Sequence, residues 1–299
     1  MRRIPLGVAL ATAASLALAA CGSNSLSNGG PSATASVSTS VNAAAAALVP
    51  AAIKSKGTLT VGMDTTYPPV DALAADGQTA VGLDVDLFNA VVKTLGLKAT
   101  YQTAKFDSII NGVGSGKYDV GISAFSITAA REKQAHMVSY FMAGTEWAAA
   151  TGNPKHIDVN KPCGINVAVQ TGTTEAQQDL PPKVAACAKL GKPLHVDHYD
   201  AQTAANAAVI SGKDDAMLAD SPITAYAVKQ SGGKLQTIGS IYGSAPYGYV
   251  VSLPNKALAE AFAAALKVIY QNGTYAKVLA AWGATQGGIS NFAVDPAAQ

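Results

Sequence analysis

Short apolar runs that read as strands alternate along this chain with stretches whose apolar residues recur at helical spacing, and no other pattern limits the fold as strongly. Thr58 to Met63 sets Leu59, Val61 and Met63 against Thr58, Thr60 and Gly62, a strand stopped by Pro68 and Pro69. From Asp84 the apolar positions Phe88, Val91, Val92 and Leu95 follow a helical period, with acids in the first turn and Gly96 just past the end. Phe106 to Val113 reads as a second helix ended by Gly114 and Gly116, and Tyr118 to Ser123 as a second strand, which gives the order β-α-α-β. The alternation resumes with a strand over Ile165 to Val169 and a helix after Glu175. Leu194 to Val196, Ala204 to Ile210 and Ala216 to Leu218 then read as strand, helix, strand. Near the end, Leu258, Phe262, Leu266 and Ile269 form one helical stripe, and Tyr275, Val278, Leu279 and Trp282 form another after Asn272-Gly273. Strand and helix in alternation predict an α/β fold.

With 299 residues, 49% of them hydrophobic and 13% charged, the chain can build a large core as one large or two medium domains. Arg2 and Arg3 account for the whole formal charge of +2, so the rest is neutral. Scattered charge and 6% aromatic content leave no basic stripe, which argues against a nucleic-acid partner.

Arg2-Arg3 followed by a short apolar run to Ala20 has the form of a secretory signal and is too short to span a membrane. Leu18-Ala19-Ala20-Cys21-Gly22 resembles the lipobox of bacterial lipoproteins, which makes Cys21 the expected lipid anchor and residues 1–20 the segment removed. Ser23 to about Pro50 is Ser, Ala, Asn, Thr and Gly with no charge, too poor in large apolar groups to offset its ordering entropy. Residues 21–53 are therefore expected to be the lipidated cysteine and a flexible tether, with about 28 residues reaching at most ~90 Å. Within it Ala43 to Ala47 has helix-forming composition but nothing that would anchor a helix. Export permits thiol oxidation, and once Cys21 is set aside Cys163 and Cys187 are left as a disulfide pair.

Two segments open helices directly after strands. In Ser123-Ala124-Phe125-Ser126-Ile127-Thr128-Ala129-Ala130-Arg131, Thr128 would cap the helix and Arg131 would stand in its first turn. A cation there opposes the helix dipole unless an anion lies between it and the free N–H groups, and a carboxylate fits a guanidinium bidentately. An arginine simply paired with Glu132 on the surface would look the same. Thr171-Gly172-Thr173-Thr174-Glu175 likewise offers hydroxyls and N–H groups to an anion, although plain N-capping accounts for it in isolation. Asp64, after the first strand, and Asp220, after a late one, lie where ligands of open α/β sheets bind. Two anion donors and two lone carboxylates so placed describe a site for a zwitterion, with Tyr67 and Phe106 as aromatic walls.

Gly82-Leu83-Asp84-Val85-Asp86-Leu87 with its helical tail to Leu95 is similar to the signature of the family-3 extracellular solute-binding proteins, the polar amino-acid receptors of ABC importers. The similarity runs from about Lys56 to Gly283. It includes the Asp64 to Pro69 turn, Ser126 to Arg131, Gly172 to Thr174, Asp220, Asn272 to Tyr275, and Trp282-Gly283. The resemblance implies a two-lobed periplasmic-binding-protein fold of type II, its lobes joined by two crossing segments. Residues 54–145 and 242–291 would form lobe 1, 146–241 lobe 2, and 292–299 a tail. It further implies that Arg131 and Ser126 hold an α-carboxylate, that Thr174 joins on closure, and that Asp220 takes the α-ammonium with Ser123 nearby. Asp64 would meet the ligand side chain, and Tyr67 and Phe106 would sandwich it. Val70 and Ala124, the latter beside Ser123 in the pocket, depart from residues frequent in the family and touch side-chain preference only. The implied partners are an amino acid, an ABC permease and its ATPase. The implied protein is a monomer without cofactor, lipid-anchored outside the cytoplasm.

Asp64 and the lack of a second pocket Arg or Lys favour a basic or polar side chain over an acidic one. Glu146-Trp147, near the first crossing segment, could add acid to the pocket. Metal binding by His195, Asp197 and His198 is disfavoured because a strand turns His198 away from the other two. Gly112-Val-Gly114-Ser-Gly116 precedes a strand and is not a phosphate loop. The rival readings are a cyclohexadienyl dehydratase using Glu146 or Glu175 as general acid, and a ligand-sensing lipoprotein without a transport role.

Overall fold

The computed structural model describes Met1 and residues 39–296; the expected signal segment and Cys21 lie outside the described residues. Helices α1 (Ala43–Ala47) and α2 (Ala51–Lys56) lead into strand β1 (Thr58–Met63) and a small antiparallel sheet of β2 (Thr66–Tyr67), β3 (Asp71–Leu73) and β4 (Ala80–Val81). Next come α3 (Leu83–Thr94), β5 (Lys98–Thr103), α4 (Phe106–Gly114), β6 (Val120–Gly121) and α5 (Ala129–Glu132). The sixteen-residue β7 (Ala135–Ala150) carries the chain into β8 (Asn166–Gln170), a π turn (Glu175–Asp179), α6 (Leu180–Lys189), β9 (His195–Tyr199) and α7 (Gln202–Ser211). After β10 (Ala216–Asp220) and α8 (Ser221–Gln230), the eighteen-residue β11 (Leu235–Ser252) returns it to α9 (Lys256–Gln271) and α10 (Thr274–Ala281).

Eight described strands form one sheet in the order β5-β1-β6-β11-β7-β10-β8-β9. Parallel strands occupy both ends, β5-β1-β6 and β10-β8-β9, and the long antiparallel pair β7 and β11 joins them. This is the two-lobed α/β arrangement, with β7 and β11 as the crossing segments. Their register shifts near the middle, between Ile238 and Tyr242 and again between Tyr242 and Ala245. Gly239 (φ +73°) and Gly243 (φ +60°) take up the irregular backbone there, as glycine does without steric cost. Each lobe buries apolar side chains on both sheet faces. In the first, Phe88, Phe262 and Tyr249 pack under α3 and α9, and Ile109, Phe125 and Met137 under α4. In the second, Trp147, Val167 and Leu218 pack on one face and Ala168, Met217 and Val209 on the other.

The signature glycine has a steric reason. Gly82 has φ +139°, and a Cβ there would lie 2.0 Å from the Val70 carbonyl oxygen, so only glycine lets α3 start against β3.

Several expectations need correction. The first lobe runs β-α-β-α-β, because β5 lies between the two expected helices; it is an edge strand in which only Ala99 and Tyr101 are half-buried, so its sequence carries only a weak apolar alternation. β6 shrinks from Tyr118–Ser123 to two residues, Tyr118 instead laying its ring over Gly62 and Gly112. The tether does not extend to residue 53. Asn42 caps α1 by accepting from Ala45 N–H at 3.0 Å, its own N–H donates to Thr94 O at 2.9 Å, and Ala45 and Val49 join the core beside α9. The tail expected over 292–299 is likewise bound where it is described. Phe292 is buried, Val294 bridges to Val138, and Asp295 accepts from Met137 N–H at 2.8 Å. The predicted disulfide is present, joining Cys163 to Cys187 with Cα atoms 5.1 Å apart.

Candidate functional site

The carboxyl ends of β1, β6, β8 and β10 face one another across the cleft between the lobes, the position at which open α/β sheets present their loops to ligands. On the first lobe Thr128 caps α5, its hydroxyl accepting from Arg131 N–H at 3.2 Å. Because α5 is a single turn, it supplies little dipole, and any attraction for an anion rests on the Arg131 guanidinium itself. That group is buried. It donates to Ser126 O at 2.8 Å and, across the cleft, to Gly172 O at 3.1 Å. Its carbon lies 5.5 Å and 5.4 Å from the ring centroids of Phe106 and Phe125, which stack on each other at 4.5 Å. The two rings fix the plane of the guanidinium and favour its charge.

From the second lobe come two acids. Asp220, at the end of β10, accepts from the Tyr67 hydroxyl at 3.0 Å, and the same hydroxyl accepts from Asp220 N–H at 3.2 Å. Burial first, and then the neighbouring Glu175 charge, push the Asp220 carboxyl well above the usual carboxylate range. Glu175, 2% exposed, accepts from the Thr145 hydroxyl at 2.8 Å and the Thr174 hydroxyl at 3.1 Å. Gly172 (φ +85°) lets the turn before Glu175 press on the first lobe: a Cβ there would lie 2.8 Å from Cβ of Asp107.

These groups enclose one cavity. Of the residues the sequence singled out, Tyr67, Phe106, Ala124, Ser126, Arg131, Thr174 and Asp220 line it, and Thr173 and Glu175 complete the wall. Its volume is about 10 Å³, room for one water, so an amino acid enters only when the lobes part. A wider chamber of about 410 Å³ adjoins it, sharing Ser126, Thr174 and Asp220 and walled by the hydroxyls of Thr128, Thr145 and Ser244.

Asp64 and Ser123, also expected at the ligand, stand behind the wall. Asp64 accepts from Thr66 N–H at 2.8 Å and, across the cleft, from Gln170 Nε2 at 2.5 Å; Ser123 Oγ accepts from Asp64 N–H at 3.1 Å. Asp64 is thus a strut between lobes. Val70 is buried in the first-lobe core, and Glu146, paired with Ala219 in the sheet, lines neither chamber. His195 and His198 lie along edge strand β9, and no group of three metal-ligating side chains occurs among the described residues.

Sequence reasoning placed Thr173 and Glu175 only within an anion-offering segment, with Glu175 otherwise an acid catalyst, and passed over Gln170. Gln170 ends β8, a position that could have marked it. For Glu175 the deciding feature is the π turn that replaces the first α turn, a local geometry frequent at functional sites and without a sequence signal here.

Residues 59–285 match the model of the bacterial extracellular solute-binding proteins, family 3. The chain belongs to that family. Among similar proteins is the arginine-binding protein ArgT of Corynebacterium glutamicum, 34% identical over 242 residues, covering 81% of this chain and 79% of ArgT. The lysine/arginine/ornithine-binding periplasmic protein of Escherichia coli K12 is 30% identical over 229 residues, covering 74% and 85%. Among solved structures, an ancestral arginine-binding protein bound to arginine superposes with a TM-score of 0.69 at 34% identity, covering 76% of this chain and 98% of that one. With relatives of this kind the solute-binding protein is a binder and not an enzyme. No described helix of the solute-binding protein is long and apolar enough to cross a membrane.

Proposed function

We propose that this solute-binding protein closes around one basic L-amino acid, arginine foremost, and delivers it to an ABC importer. The observation that carries the reading is the charge set of the cavity: one cation, Arg131, against two acids, Asp220 and Glu175, all buried. Arginine brings one negative and two positive charges and leaves none of the three uncompensated. A neutral amino acid strands one buried acid and an acidic one strands more, which costs several kcal/mol, on the order of 3 to 5. In this reading Arg131, Ser126 and Thr174 hold the α-carboxylate, Asp220 the α-ammonium, Tyr67 and Phe106 the side-chain stem, and Glu175 its cationic end. The names of the relatives point to the same ligands.

The lobes divide at Thr145 and Tyr242, which pair within the shifted stretch of β7 and β11, so residues 54–145 and 242–291 move against 146–241. Residues 39–53 travel with the first lobe. Lipid attachment at Cys21, on the lipobox-like sequence before it, keeps the monomeric receptor at the outer face of the cell membrane, beside a permease and its ATPase.

Thermal unfolding of residues 22–299 against each L-amino acid tests the reading, since a ligand bound only by the folded state stabilises by about 4 kcal/mol at a thousand times its Kd. Arginine, lysine and ornithine are expected to raise the melting temperature more than glutamine and far more than glutamate. Equal shifts for arginine and glutamate, or no shift with any amino acid, overturn it.

A further inference from the structure

Beneath the loop that carries Ser126 and Arg131 lie two carboxylates that ligand binding does not use. Asp71 on β3 and Asp84 in the first turn of α3 are both fully buried. One oxygen of Asp84 accepts from Ala124 N–H at 3.0 Å and from the Tyr140 hydroxyl at 2.7 Å. Ala124 lines the cavity with φ at +51°, a left-handed conformation that a residue with a Cβ keeps only when its surroundings enforce it. Tyr140 belongs to crossing strand β7. A single oxygen therefore joins the helix α3, the binding loop and a crossing segment.

The other Asp84 oxygen and both oxygens of Asp71 have no donor within hydrogen-bond distance among the described residues, and the nearby Ser123 hydroxyl is the one neighbour that favours the Asp71 charge. The groups facing the pair are Asp64 after β1, Ser123 on the binding loop, Tyr101 on β5 with Asp86 beyond it, Tyr140 on β7, and Tyr247 and Tyr249 on β11. No cation is among them. Burial raises both carboxyls, and the Asp84 charge raises Asp71 further. Two unpaired anions side by side in a dry interior are too costly to persist. One proton between them supplies the missing donor and leaves a single negative charge, which Tyr140 and Ala124 N–H solvate.

We infer that Asp84 is a positioning residue for the amino-acid site, and that the proton held between Asp71 and Asp84 keeps it in place, so that losing this proton loosens the Ala124 loop and weakens binding. The inference rests on the proposed binding of a basic amino acid, and its test separates the two. Calorimetric Kd values for arginine are measured from about pH 6 to about pH 9 on the whole mature chain, as wild type, Asp71→Asn, Asp84→Leu and Asp84→Asn. Melting curves without ligand accompany them.

Asp71→Asn keeps a donor toward Asp84 that cannot titrate. It is expected to bind within about threefold of wild type at the acid end, where one pKa unit of differential interaction equals about tenfold in affinity. The ratio of wild-type to variant Kd then rises about tenfold toward the alkaline end, arginine's own titration cancelling in the ratio. Asp84→Leu is expected to bind at least about tenfold more weakly throughout, and Asp84→Asn, whose amide oxygen can accept both bonds, to recover most of that. A Kd ratio independent of pH overturns the inference, as does an Asp84→Leu protein that melts cooperatively and binds like wild type. If Asp84→Leu does not fold, the Asp71→Asn ratio decides alone. If arginine fails to bind even the wild type, the function reading falls and the ligand-free melts decide. Wild type should lose more melting temperature as pH rises than Asp71→Asn does, Asp220 contributing the same decline to both, whereas parallel curves refute the proton pair.

Discussion

Glu175→Gln is the substitution that most sharply separates charge from shape in this site. Glutamine is nearly isosteric, and the Thr145 and Thr174 hydroxyls that now donate at 2.8 Å and 3.1 Å can each donate or accept, so the pocket wall keeps its form. What disappears is one negative charge on a side chain 2% exposed. A guanidinium about 4 Å from it, at an effective dielectric of about 20, loses about 4 kcal/mol of attraction, close to a thousandfold in Kd. Part of that returns because the free protein no longer buries Glu175 beside Asp220, so the expected loss for arginine is about a hundredfold. Glutamine carries no side-chain charge, and its affinity should hold or rise. Titration calorimetry with both ligands on both proteins completes a double-difference cycle in which folding effects cancel. An arginine affinity within threefold of wild type, or an equal loss for arginine and glutamine, would refute the assignment of Glu175 to the cationic end.

Asp64→Asn should weaken every amino acid by a common factor of about 3 to 10 without reordering them, because its bond to Gln170 ties lobe to lobe; a reordered preference in calorimetry would return Asp64 to the ligand. Asp220 holds a raised carboxyl until an ammonium faces it, so binding should release a proton and affinity should fall as pH falls below the raised value. Enthalpies that do not vary with the ionisation enthalpy of the buffer would contradict this. The same raised value makes Asp220 a source of ligand-free stability that is full below the ordinary carboxylate range and declines as pH rises. Replacing Cys163 and Cys187 together by serine opens a loop spanning a sequence separation of 24 and should cost about 3 kcal/mol, lowering the melting temperature on the order of 10 °C without changing Kd. An altered Kd would mean that the disulfide shapes the cleft.

The elements legible in the sequence were those with one wet and one dry face. α3 shows its period because Asn89 and Lys93 face water while Phe88, Val91 and Val92 do not. β7 is buried on both faces through most of its length, so Ala135 to Ala150 carries no alternation to read. The stretch from Thr39 to Val49 looked like a tether because its apolar groups are small; Ala45, Ala46 and Val49 suffice once α9 supplies the opposite surface. In the site, the residues that sequence placed together were those set by strand ends and caps, Asp220 and Arg131 among them. Glu175 and Gln170 depend on a π turn and on a contact across the cleft, and neither leaves a local trace.

The narrowness of the cavity sets a clock as well as a shape. With room for about one water between Tyr67, Phe106 and Arg131, cargo cannot slip past a half-closed rim. The observed association rate should therefore level off at high amino-acid concentration, at the rate with which the lobes part. Spontaneous release cannot outrun that same motion, however weak the contacts to the ligand become. An importer of the proposed kind that needs its substrate faster must then act on the lobes themselves, by bending β7 and β11 together at their shifted register and not by competing for the amino acid.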